Sequence, residues 1–194
     1  MNNDNQNELQ SHWELDPIHS ELMFNVNYLM ISTLSGYIRN FSIDLTTTGS
    51  DFGQVTDLLV SADVNSLTTG YESRDEHLKS KDFFDAEESP LIEFEGVFFE
   101  KQGLDQPSHL SVYRRDYLLR GKLTIHGISK LILLGGEFGG ISVGLDGKKR
   151  AGLTVKGKLS REEFGLTWKG LTTAGKLLVS DEINILGNLH LIKK

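Results

Sequence analysis

The chain has no cysteine among its 194 residues. Disulfides, thiolate metal sites and thiol nucleophiles are therefore excluded, and the absence fits a reducing compartment. An apolar run of the roughly 18 residues that a membrane-spanning helix needs is also missing. Any lipid this chain handles would thus be met from water. Positive charge is in short supply, with 20 Lys and Arg against 27 Asp and Glu, a net charge of −7. The basic residues are scattered, and their densest group, Lys148, Lys149 and Arg150, reads as a hairpin tip. Nucleic-acid binding needs a concentrated basic face, so this balance argues against it. The opening MNNDNQNELQSH carries neither a basic n-region nor an apolar h-region. Residues 1–12 are expected to form a disordered polar tail rather than a secretory signal, with a cytoplasmic location.

The motifs of catalysis and phosphate binding are missing too. The six histidines (His12, His19, His77, His109, His126 and His190) show no HxH or HExxH spacing, and no metal site is expected. The stretch GGEFGGISVGLDGKKR invites a phosphate-loop reading. However, Ser142 stands where the first glycine of that motif belongs, and Lys149 where Ser or Thr should follow Lys148. A strand rather than a helix is expected after it, so no helix N-terminus is offered to a phosphate. The Gly-x-Ser-x-Gly spacing occurs once, at Gly140 to Gly144, but inside a stretch expected to form a strand and hairpin, so it does not make the strand-to-helix elbow of a serine nucleophile.

What is present is period-2 alternation. Leu22, Phe24, Val26 and Tyr28 share one face, as do Ile92, Phe94, Gly96 and Phe98. So do Tyr117, Leu119, Gly121, Leu123 and Ile125, then Leu153, Val155, Gly157 and Leu159, then Ile183, Ile185, Gly187, Leu189 and Leu191. Further strands are expected over 34–47, 55–64 and 131–143, with a hairpin at Asp146-Gly147 and bends at Gly135-Gly136 and Gly139-Gly140. The expectation is an all-β chain, a single domain over 13–194 forming an antiparallel sandwich or barrel of about eight strands. Mid-strand Gly96, Gly121, Gly157 and Gly187 all fall on the apolar face. They either leave room inside for a small ligand or let the sheet coil, and the pattern allows both.

One helix is expected, over about 70–82 near one end, with Ser66, Thr68 and Thr69 as cap residues. A second helical turn is expected at Ser160–Glu163, which has the S-x-x-E pattern of a capping box. On the longer helix, Leu78 with Phe83 and Phe84 forms a narrow apolar patch, and Glu72, Asp75, Glu76, Lys79 and Lys81 are polar. Either this is a solvated helix anchored by the two phenylalanines, or His77, with Asp75 or Arg74, meets a ligand's polar head at the barrel mouth.

Several of these segments together resemble the YceI family of polyisoprenoid-binding, lipocalin-like barrel proteins. They are Trp13-Glu14-Leu15-Asp16 with His19-Ser20, Gly36 to Phe41, Asp75 to Asp85 (DEHLKSKDFFD) running on to Phe94, Leu123 to Lys130 (LTIHGISK), Arg150 to Leu153, Ser160 to Trp168 (SREEFGLTW) and Val179 to Ile183. The resemblance implies an extended, lipocalin-like barrel, homodimeric, with the helix near one end. It also implies a cargo of long, apolar, small-headed molecules such as polyprenyl phosphates, isoprenoid quinones or fatty amides, and no enzymatic activity or cofactor. One position departs from the family pattern: Tyr28 stands about where a histidine is common. A neutral phenol hydrogen-bonds a headgroup but offers no charge near neutral pH, which weakens the case for an anionic phosphate head.

These readings combine into a non-enzymatic carrier of one amphiphilic lipid (a polyisoprenoid, an isoprenoid quinone or a fatty acyl or amide). The tail would lie along Phe24, Val26, Phe94, Phe98, Leu123, Val155 and Leu189, and the head would meet Tyr28, His77, Arg39 or Asp75. Two other classes stay open: an enzyme using His77 and neighbouring carboxylates as acid and base, and a filled structural barrel acting through a partner surface.

Overall fold

The structure, a computed structural model, describes residues 10–49, 54–101, 117–171, 173, 175 and 177–194, without the side chains of 98–101. The alternating segments form strands: β1 (Gln10–Leu15), β2 (Glu21–Tyr28), β3 (Ser32–Ile38), β4 (Phe41–Thr48), β5 (Gln54–Asp63), β6 (Leu67–Thr68), β7 (Leu91–Lys101), β8 (Tyr117–Ile125), β9 (Ile128–Val143), β10 (Lys149–Ser160) and β11 (Val179–Lys193). Strand β1 begins at Gln10, ahead of the domain start expected at Trp13. No helix among the described residues is long and apolar enough to cross a membrane.

Eight strands close a ring in the order β1-β4-β5-β7-β8-β9-β10-β11, all antiparallel, with β11 returning to β1. The expected barrel of about eight strands is therefore found. Strand β11 also pairs with β2, which carries β3 and then β6. It can hold two partners along one edge because it is 15 residues long: Leu191 to Lys193 meet β1, and Val179 to Asn188 meet β2.

The break between β1 and β2 is locked by Asp16. Its N–H donates to the His190 carbonyl (2.8 Å), its carboxylate accepts from the Ile18 N–H (3.2 Å), and its second oxygen lies 2.9 Å from His19 Nδ1. The single strand expected over 34–47 is split for the same reason. Strands β3 and β4 follow their partners β2 and β1, breaking at Arg39-Asn40, where Ser66 accepts both freed N–H groups.

The helix α1 spans Glu72–Lys79, shorter than the expected 70–82. The Ser80 N–H reaches both the Glu76 and His77 carbonyls, which tightens the last turn, and 80–85 continue as turns. Thr68 and Thr69 do not cap the helix N-terminus as expected. The cap is Tyr71, without a side-chain bond, and both threonines turn to Asp75. At 160–163 half of the capping box forms, the Glu163 N–H donating to Ser160 Oγ at 3.3 Å, and a 3-10 turn follows over Glu162–Phe164. Trp13, buried on β1, donates its Nε1–H to Thr47 Oγ1 at 3.0 Å.

Candidate ligand-binding cavity

The inward faces of the strands enclose a cavity of about 670 Å³, within the 300–1,000 Å³ typical of small-molecule sites. Six of the seven residues expected to hold a tail, Phe24, Val26, Phe94, Leu123, Val155 and Leu189, line it. The side chain of the seventh, Phe98, lies outside the described residues. Its backbone follows a bulge after Gly96 that pairs Phe98 with Arg120 and Phe99 with Leu119. Simple alternation cannot be extended through such a shift.

The inward glycines are of two kinds. A Cβ on Gly121 would lie 2.2 Å from Phe94 Cζ, and one on Gly157 would lie 2.2 Å from Leu134 Cδ2; Gly96 is similarly covered by Leu58. These glycines admit a neighbouring side chain rather than a ligand. Gly187 differs: it lines the cavity, and its nearest contact is Leu189 at 3.5 Å. The cavity is therefore shaped by rings and leucines laid flat across their neighbours' glycines.

Polarity is confined to one end of the cavity. Tyr28 comes from the end of β2; Thr69, Tyr71, Ser73, Arg74 and His77 come from α1 and the residues before it; Arg161 and Trp168 come from the segment after β10; and Ser35 comes from β3. The His77 ring meets Trp168 edge-on (5.1 Å between centroids) and Phe83 likewise (5.4 Å), which fixes its plane against the cavity wall. Its Nε2 is 3.5 Å from Asp82, an exposed acid. His77 is thus part of both the wall and the surface. Tyr28 is the register partner of Val179, beside it on the wall.

The other two expected head residues are placed elsewhere. Arg39 is not in the cavity wall; its guanidinium stacks 4.2 Å over the Tyr37 ring. Asp75 is buried and accepts from the Thr68 hydroxyl (2.8 Å), the Thr69 N–H (2.8 Å) and the Thr69 hydroxyl. Burial pushes its carboxyl up, but the threonine hydrogen bonds outweigh this and hold it below the ordinary carboxylate range. It acts as the internal tie of the 67–75 corner and does not line the cavity.

Arg161 was not anticipated. It is only 3% exposed and lines the cavity, with Nε donating to the Ser180 carbonyl (3.1 Å) and Nη1 to that of Leu166. Its place in the polar SREEFGLTW segment gives no hint of burial. Among the described residues no cluster of three or more His, Asp or Glu could hold a metal ion.

A closed antiparallel barrel whose apolar cavity turns polar at one end defines a β-barrel with the form of a ligand-binding protein. The family model of the YceI-like domain matches residues 13–191, and the chain belongs to that family. It is 30% identical over 175 residues to the UPF0312 protein SA2479 of Staphylococcus aureus, covering 88% of this chain and 92% of the relative. Among solved structures it is similar to the YCEI protein of Campylobacter jejuni, at 28% identity and a TM-score of 0.68, covering 87% of this chain and 90% of the other. The fold also matches a polyisoprenoid-binding domain from Saccharophagus degradans, at 16% identity and a TM-score of 0.62, over 94% and 98% of the two chains.

Proposed function

We propose that this protein is a non-enzymatic carrier of one long amphiphilic lipid, held with its tail along the barrel and its head at the α1 end. The observation that carries this reading is the polarity of the barrel cavity. Its wall is apolar along the strands, from Phe24 and Phe94 to Leu153 and Leu189, and polar groups gather only around Tyr28, α1 and Arg161. Each buried CH₂ of a tail contributes about 0.8 kcal/mol, from which the ordering costs of binding are subtracted. The likeness to a polyisoprenoid-binding domain supports a prenyl or similar chain. A homodimer, which the family resemblance implies, belongs to the same reading.

Mass spectrometry of lipids extracted from the natively purified protein tests it, together with titration of prenyl lipids and quinones into delipidated protein. Failure to retain or bind any hydrophobic small molecule would sink the carrier reading. The His77→Ala variant separates carrier from enzyme. A carrier keeps tail binding and loses at most head selectivity, whereas an acid–base enzyme loses turnover.

A further inference from the structure

The charges on the cavity wall are all of one sign. Among the described residues neither Asp, Glu nor Lys lines it, and the full charges are those of Arg74 and Arg161, in a chain whose net charge is −7. Arg74 is half-buried at the α1 corner, its Nε donating to Thr69 Oγ1 (2.7 Å) and its Nη2 to the Thr69 carbonyl (3.0 Å). Arg161 is nearly fully buried, and among the described residues its hydrogen bonds go to the carbonyls of Ser180 and Leu166.

No ion pair engages Arg161 among the described residues, and no hydrogen bond there engages its Nη2. The neighbouring acid, Asp181, feels the Arg161 charge through space, but its hydrogen bonds come from the Ser160 hydroxyl (2.9 Å) and the Glu162 N–H (3.0 Å) rather than from the guanidinium. A guanidinium carries five N–H donors, and a buried charge whose counter-charge is not in hydrogen-bonded contact recovers only part of its desolvation cost. Two carbonyl dipoles fix the orientation of Arg161 but supply no negative charge.

Resting on the carrier reading, we infer that the bound lipid has an anionic head, a carboxylate or a phosphate, and that Arg161 provides its counter-charge. The planar guanidinium presents paired donors that match either group. The neighbours fit that role. The carbonyl that orients Nε belongs to Ser180, next to Val179, the register partner of Tyr28. The one that orients Nη1 belongs to Leu166, two residues before the Trp168 that packs on His77. The phenol, the imidazole and Arg74 then surround the head with donors while Arg161 neutralises it. The replacement of a family histidine by Tyr28 therefore does not leave the site without positive charge.

The test uses delipidated full-length protein preloaded with a neutral fluorescent naphthylamine probe. A 16-carbon series displaces the probe: hexadecanoate, hexadecyl phosphate, hexadecanol and hexadecyltrimethylammonium. The acid and the phosphate should displace at concentrations at least about tenfold lower than the alcohol, the range of a charge-assisted hydrogen bond, and the ammonium should be weakest. Comparing acid with phosphate identifies the better head. Arg161→Met should bring acid and alcohol to within about twofold while alcohol binding survives, and Arg161→Lys should keep part of the preference. If Arg161→Met does not fold, Arg161→Lys and the wild-type series decide.

Equal displacement by acid and alcohol, or a preference undiminished in Arg161→Met, overturns the assignment while leaving the carrier reading intact. Displacement by inorganic phosphate alone also overturns it, because the anion site would then not need a tail. If no member of the series binds, the carrier reading fails and this assignment fails with it.

Discussion

Gly121 and Phe94 are neighbours across β8 and β7, so close that a Cβ on Gly121 would fall 2.2 Å from the Phe94 ring and 2.5 Å from the Glu95 carbonyl oxygen. The ring lies where a side chain would otherwise be. Gly121→Ala should therefore cost about 1–3 kcal/mol through overpacking, measured by urea unfolding. Gly187→Ala should instead gain up to about 1 kcal/mol from strand preference, because its nearest neighbour is 3.5 Å away. The same methyl enters the cavity, so long-chain binding should weaken. A destabilised Gly187→Ala with unaltered binding would contradict this division of the glycines.

The two tryptophans should report differently on cargo. Trp13 is buried in a hydrogen bond to Thr47 and does not line the cavity, whereas Trp168 does. Ligand addition should change the intrinsic fluorescence of wild type and of Trp13→Phe. Trp168→Phe should still bind, as displacement of an external probe would show, but with little or no change in intrinsic fluorescence. A response that persists in Trp168→Phe would place the cargo elsewhere.

Stability should fall on acidification. The Asp75 carboxyl sits below its ordinary range for the reasons given above. Asp16 is lowered as well, first by the hydrogen bond with the His19 side chain, against the opposing effect of burial, and then by the Ile18 N–H and the Arg150 charge. Because the folded values lie below the unfolded ones, this contribution is complete above the ordinary carboxylate range, about pH 4, and is lost as pH drops through it towards the folded values. Thermal melts from pH 7 to pH 3 should show the decline. Asp75→Asn should remove part of it and cost about 1–3 kcal/mol at pH 7, since an amide cannot accept all three donors. It should leave lipid binding in place, because Asp75 is not in the cavity wall.

The turn from β2 to β3 carries Leu29 (φ 52°) and Met30 (φ 60°), with the Ile31 N–H closing on the Tyr28 carbonyl at 3.1 Å. A β-turn whose two central φ values are both positive favours Asn and Gly there, and left-handed backbone costs roughly 1–2 kcal/mol per ordinary residue. The double variant Leu29→Asn/Met30→Gly should raise unfolding stability by about 1–3 kcal/mol. Unchanged or lower stability would mean that contacts of Leu29 and Met30 offset the strain.

The barrel was legible in the sequence because half-buried strands write their inward face at every second position, and six expected tail residues do reach the cavity wall. The reading failed where that period slips or long-range bonds decide. The bulge after Gly96 shifts the register before Phe98. Arg39 sits at a strand break imposed by the break at Asp16, which nothing near Arg39 announces. Asp75 looked like one acid on a wet helix until Thr68 and Thr69 closed over it. Arg161 was missed because its partner Ser180 lies 19 residues away, so its burial arises only when β10 and β11 pair.

The seam between β1 and β11 joins the first and last strands of the fold. During synthesis the sheet therefore stays open until residues 191–193 leave the ribosome, and its greasy inner surface is exposed until then. Closure waits on the most distant pairing in the chain, the kind of contact that slows folding and invites aggregation. Removal of residues 191–193 should accordingly undo the container before it disturbs the rest of the sheet.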